Sequence, residues 1–167
     1  MELRIDPLSA AAFATFGDVI ATPDAKGVPA NEDTALRFDD VARLELDRDG
    51  GRPCLSLFRA QPASLPLECS RLERHPLSSQ AFVPVGAARF LVVVAPPGGD
   101  APDAARTRAF LAAGGQGVNY HCGVWHHPVL ALDRETDFVV IGRAGSTDCD
   151  IAPFAGGEVV CVGLIPG

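Results

Sequence analysis

Apolar and polar positions alternate over short stretches of this chain, and glycine or proline closes many of those stretches. One segment differs. Residues 8–16 predict a short helix, because Ser9 can cap it, alanines fill it and Gly17 ends it. Residues 22–34 are polar and predict a loop. Beyond them strand signals dominate, at 54–60, 67–75, 81–85, 89–95, 107–112, 117–120, 125–132, 137–142 and 159–162. Gly86 stands between two of these runs, so 81–85 and 89–95 predict a hairpin. The run Pro96-Pro97-Gly98-Gly99-Asp100 predicts a loop. Many short strands with regular turns predict an all-β fold, a barrel or a sandwich, with a short N-terminal helix.

Composition narrows the partners. The 167 residues suit one domain, 1–167, with its own core. Charged residues make up 21% and hydrophobic ones 47%, a profile of folded rather than disordered chains. The net charge of -7 leaves no basic surplus for a nucleic-acid backbone. No apolar run reaches membrane-spanning length. The start, Met1-Glu2-Leu3-Arg4-Ile5-Asp6, lacks the shape of a signal peptide, so a cytoplasmic location is expected. Cys54, Cys69, Cys122, Cys149 and Cys161 are odd in number and form no C-x-x-C pair, which predicts reduced thiols. Cys122 is expected to be an inert thiol.

Groups that move protons or bind metals concentrate in two places. Tyr120, His121, Trp125, His126 and His127 lie together, and the remaining histidine, His75, follows Glu73 by two positions. Side chains two apart on a strand share a face, so Glu73 and His75 should point the same way. A carboxylate beside an imidazole suits acid-base work and also metal binding. His126 and His127 should face opposite sides, with at most one looking inward.

The two clusters resemble the paired motifs of the cupin superfamily. Glu73-x-His75, Gln80 and Gly86 fall on the frame of the first motif, and Gly115, His121-x-Gly123-x-x-His126 on that of the second. Glu73 replaces a histidine, Gln80 a glutamate and His121 a proline of that pattern. The resemblance implies a cupin-like β-barrel (a double-stranded β-helix, or jelly roll). Glu73, His75 and His126 could then form a two-histidine, one-carboxylate face.

A narrower resemblance rests on an ordered set. Phe58-Arg59-Ala60-Gln61-Pro62, Leu72-Glu73-Arg74-His75-Pro76, Gln80-Ala81-Phe82-Val83-Pro84, Gly117-Val118-Asn119-Tyr120-His121, Trp125-His126-His127-Pro128 and Thr136-Asp137-Phe138 occur in this order. Together they resemble the ureidoglycolate lyase family of allantoin degradation. The departures are at Phe58 and in the loop at 22–34, where Asn31 and Arg37 are further site candidates. The resemblance implies cleavage of (S)-ureidoglycolate to glyoxylate and urea within purine catabolism, by a homodimer. That chemistry requires no cofactor, though a divalent metal, nickel or manganese, is compatible with it. It calls for a base on the hydroxyl proton, an acid for the departing nitrogen and a cation or backbone donors for the carboxylate. His126 or His75 is expected as base, Glu73 as its orienting partner and Arg59 as the carboxylate anchor. Gln80, Tyr120 and His121 are expected to hold the ureido group. Two alternatives stand beside this reading: a metal-dependent amidohydrolase releasing ammonia, and a non-catalytic cupin that binds a small carboxylic acid.

Plainer roles compete for several residues. Trp125 is expected to pack in the core and His127 to be structural or at an interface. Arg59 could equally be an ion-pair partner of Glu73 or Asp137. Arg74 is expected to be solvated.

Overall fold

The Phe90–Ala95 strand, Phe-Leu-Val-Val-Val-Ala, is buried at every position. A strand apolar on both faces needs cover on both sides. In the computed structural model, which describes residues 1–145 and 148–165, this strand is central to a seven-stranded sheet. Phe90, Val92 and Val94 point inward, into a core shared with Phe82, Val118, Tyr120 and Phe138 of a facing five-stranded sheet. Leu91, Val93 and Ala95 point the other way, into a second core with Trp125, Leu72, Leu3 and Val162. Strands Glu2–Leu3, Val160–Val162 and Leu67–Cys69 form a small sheet that covers this second face. The fold is all-β and cupin-like, with little helix.

Several sequence expectations change in the structure. The predicted helix shortens to Ala10–Phe13, where the Ala12 amide donates to Ser9 Oγ at 3.3 Å. Gly17 does not end it but opens the strand Gly17–Ile20. There a Cβ would lie 1.9 Å from the carbonyl oxygen of Asn119, so only glycine permits this close pairing. The hairpin expected around Gly86 is absent. Gln80–Pro84 pairs with Gly117–Tyr120 and Thr136–Arg143 in one sheet, while Phe90–Ala95 lies in the other. The turn at Gly86 (φ +100) therefore carries the chain between sheets. Ser70 likewise separates Leu67–Cys69 from Arg71–Arg74, which belong to different sheets. The expected strand at 125–132 is interrupted around Pro128, leaving Trp125–His126 and Leu130–Ala131. Val28–Ala30, within the polar loop, pairs with Ala35–Arg37, just beyond it, in a small exposed hairpin. No helix among the described residues is long and apolar enough to cross a membrane.

Candidate active site

His126 owes its position to sheet register. The strand Trp125–His126 lies between Phe90–Ala95 and Arg71–Arg74, with His126 opposite Val94 on one side and Glu73 on the other. Val94 faces the inner core, so His126 does too, and Trp125 turns outward into the second core. His75 follows the Arg71–Arg74 strand directly. Gly123 (φ +78) makes the turn that precedes Trp125, and its amide donates to the His75 carbonyl at 2.8 Å. This bond ties the two sequence clusters together.

Glu73, His75 and His126 converge. One ligand atom from each lies within 4.8 Å of the others. The imidazole rings of His75 and His126 are 5.4 Å apart, and His126 Nε2 is 3.5 Å from Glu73 Oε1. Contact with the His126 imidazole pulls the Glu73 carboxyl below its usual value, with help from the neighbouring histidines, despite the opposing effect of burial.

The main chain sets both tautomers. His75 Nδ1 donates to the Asp148 carbonyl, and His126 Nδ1 donates to the Val124 carbonyl at 2.9 Å. A carbonyl only accepts, so each ring carries its proton on Nδ1 and presents Nε2 to the shared space. His75 Nε2 is buried without a hydrogen-bond partner. His126 Nε2 faces Glu73 and, at 3.2 Å, the amide oxygen of Gln80. A proton or a cation between these groups relieves that crowding of acceptors. Anchored Nδ1 atoms and converging Nε2 atoms are also what a two-histidine, one-carboxylate metal site requires. The three residues therefore fit a divalent cation.

Tyr120 stacks on His126, ring centroids 4.2 Å apart and planes 13° apart. Burial, together with the charge of Glu73, pushes its phenol well above the ordinary value, so it stays neutral. A cavity of about 200 Å³ opens beside His75 and Gln80. Ser78, Arg143 and Asp148 line it as well. A second cavity, of about 380 Å³, reaches Glu73 from another side, past Arg71 and His127.

Other expected residues lie apart. His121 Nε2 sits 3.2 Å from Asp18 Oδ2. Asp18 also accepts from Asn119 Nδ2 and the Arg43 amide, both at 2.9 Å. Burial works against ionisation of Asp18, but those bonds outweigh it and lower its pKa. His121 thus belongs to a clamp on the 17–45 segment rather than to the Glu73 group.

Arg59 also stays outside. Its strand neighbours Phe58 and Ala60 pack toward the inner core, which turns Arg59 to the outer face. There Nε and Nη2 donate to the two Asp137 oxygens at 2.8 and 2.9 Å. The expectation that Arg59 anchors the substrate finds no support in this placement, and the ion-pair alternative describes what is seen. Asn31 sits in the loop of the exposed hairpin, and Arg37 pairs with Asp39 there.

Arg74 corrects another expectation. It is largely covered, with its guanidinium 4.4 Å from the Trp125 ring centre and a bond to Asp150. Cys122 is partly buried and its thiol is raised by that burial, as an inert cysteine would be.

Asp148 is the residue that sequence reasoning missed. It is 5% exposed. Its carboxylate accepts from the Leu77 amide at 2.8 Å and from Ser78 Oγ at 2.6 Å. These bonds hold in place the carbonyl that orients His75. No spacing rule could reveal this, since Asp148 is distant in sequence and acts through its main chain.

Two facing sheets with histidines and a carboxylate turned into one polar recess define a cupin-like, small-molecule site. Its relatives make the class specific. The family described as ureidoglycolate lyase matches residues 1–160. A ureidoglycolate lyase of Burkholderia mallei (strain NCTC 10229) is 54% identical over 143 residues, 86% of this chain and 83% of the relative. One of Escherichia coli O9:H4 (strain HS) is 49% identical over 152 residues, 90% and 93% of the two chains. One of Pseudomonas syringae pv. tomato (strain ATCC BAA-871 / DC3000) is 48% identical over 149 residues, 89% and 87%. The chain belongs to the ureidoglycolate lyase family.

Proposed function

We propose that this chain is a carbon-nitrogen lyase that cleaves (S)-ureidoglycolate to glyoxylate and urea in allantoin degradation. Family membership supplies the substrate, and the observation that carries the mechanism is the convergence of two Nε2 atoms on the Glu73 carboxylate. In the substrate, the hydroxyl and the ureido nitrogen are attached to the same carbon. One imidazole can therefore serve both. His126 Nε2 takes the hydroxyl proton as the C–O double bond forms and the C–N bond breaks. The bonding pair leaves with nitrogen, which receives the proton back from the imidazolium. Glu73, 3.5 Å away, stabilises the transient cation. Gln80 lies beside this atom and Tyr120 stacks on its ring, which supports a part for both in holding the ureido group.

Were a divalent metal bound, with nickel or manganese as the proposed ions, Glu73, His75 and His126 would hold it, His126 Nε2 would be a ligand in place of the base, and the metal would supply Lewis-acid polarisation of the substrate oxygens.

The test is incubation of purified protein with racemic ureidoglycolate, before and after chelation, scoring glyoxylate, urea and ammonia. Glyoxylate with equimolar urea is expected. Ammonia in place of urea would favour the amidohydrolase instead, and glyoxylate from neither preparation, even with divalent metals restored, would favour a binding protein.

We propose in addition a single-domain homodimer. Leu55 and Leu57 are each 69% exposed on the outer face of Pro53–Ala60, an edge strand of the five-stranded sheet. An apolar edge invites a second copy. Leu57→Asp should then sediment as a monomer where the wild type sediments as a dimer. Wild-type mass unchanged by the substitution would remove that surface from consideration. The five cysteines are free, which suits the reducing cytoplasm proposed as its location.

A further inference from the structure

A cation is one means of holding a carboxylate substrate, and Arg59 is turned outward and paired with Asp137. We propose that Arg143 binds the carboxylate of the substrate, in the cavity shared by His75 and Gln80. This rests on the reading of the site as one for a small hydroxy-carboxylate.

Three observations support it. Arg143 is the cation among the residues lining the cavity of about 200 Å³ that reaches His75 and Gln80. Its guanidinium donates to the main-chain carbonyls of Arg48 and Asp49, which are neutral. Among the described residues it forms no ion pair, unlike Arg59, Arg74 and Arg89, each of which meets an aspartate.

The acid in the same cavity is turned to other partners. Both Asp148 oxygens are committed, one to the Leu77 amide and the other to Ser78 Oγ. An incoming carboxylate therefore meets an arginine whose charge no internal carboxylate has claimed. The planar fork suits a carboxylate, and the two carbonyl contacts hold it before the ligand arrives. The rival cation, Arg71, lines the other cavity, which neither His75 nor Gln80 lines. A carboxylate at Arg143 would share its cavity with His75 and Gln80.

The experiment compares wild type with Arg143→Gln, Arg143→Lys and the surface control Arg89→Gln. Glutamine keeps an N–H donor for the Arg48 and Asp49 carbonyls but removes the charge. KM and kcat are measured on ureidoglycolate, binding of glyoxylate and of neutral glyoxylamide by calorimetry, and folding by thermal melt. Arg143→Gln should raise KM and weaken glyoxylate binding by about 10- to 100-fold, the size of a lost charge-assisted hydrogen bond. Glyoxylamide binding and kcat should change far less, a split that general loosening of the site would not produce. Arg143→Lys should recover part of the loss, and Arg89→Gln should match wild type.

Unchanged KM and glyoxylate affinity in Arg143→Gln would overturn the assignment while leaving the lyase reading intact. An inactive wild type that binds glyoxylate, and loses this in Arg143→Gln, would support Arg143 and sink the lyase reading. If Arg143→Gln fails to fold, Arg143→Lys decides. Weakened glyoxylate binding at an unchanged melt supports the fork, and unaltered binding overturns it.

Discussion

His126→Ala will lower kcat on ureidoglycolate by about 10²- to 10⁴-fold, the usual contribution of a positioned acid-base group. The expectation follows from its surroundings. The ring is 1% exposed, its Nδ1 is fixed on the Val124 carbonyl, and its Nε2 faces Glu73. Alanine removes the atom that moves the proton and leaves Glu73 with a weaker reason to remain ionised. The same atom is one of three that could hold a metal, so the loss is expected whether or not a cation takes part. The fold should survive. His126 lies at a short strand held by main-chain pairing to Val94, and the stacking lost with Tyr120 is worth about 1 kcal/mol. Glyoxylate release at saturating substrate, paired with a thermal melt, checks both parts. A variant with near-normal turnover would show that His126 is a packing residue and that the proton moves elsewhere.

Trp125→Ala should have the largest effect on stability, about 3–5 kcal/mol. The indole is fully buried in the outer core with Leu72, Leu91 and Phe154. The Arg74 guanidinium covers one side of it, and its Nε1 donates to the Gly98 carbonyl at 3.4 Å. Truncation empties that volume, removes the cation–π contact and leaves the Gly98 carbonyl without this donor. Urea unfolding followed by far-ultraviolet circular dichroism measures the change, since the substitution removes the chain's one tryptophan. Trp125→Phe should cost less, because it keeps most of the apolar volume. A loss under 1 kcal/mol for alanine would mean that the outer sheet collapses into the gap. The two neighbouring positions separate the two functions of one strand: His126 serves chemistry on the inner side, and Trp125 holds the strand from the outer side.

Much of this was legible in the sequence. Alternation over short runs identified the strands, because side chains on a strand point to opposite faces. Glu73 and His75 were paired by that rule alone, and their joining to His126 followed from the resemblance of two motifs. Parity puts His126 and His127 on opposite faces, the motif frame singles out His126, and Trp125 reads as core from its residue type. Arg59 shows where the rule stops. A strand period tells which residues share a face, but not whether that face is the core or the solvent. For an edge strand such as Pro53–Ala60 the neighbouring elements decide, and they turn Arg59 toward Asp137.

The hairpin expected around Gly86 failed for a related reason. A turn residue marks that the chain reverses, and says nothing about which sheet the next strand joins. Hydrogen bonds across sheets link positions far apart in sequence, and the burial of Phe90–Ala95 on both faces selects the sheet with cover on both sides.

By itself, then, the sequence determined the strand content, the paired histidine clusters and the family, because these rest on local periodicity and on ordered motifs. Tertiary structure alone decided that Arg143 shares a cavity with His75 and Gln80, that Asp148 orients His75 through its carbonyl, and that His121 is tied to Asp18. Each of these depends on a main-chain path or a charge balance set by distant segments, and no local pattern encodes either.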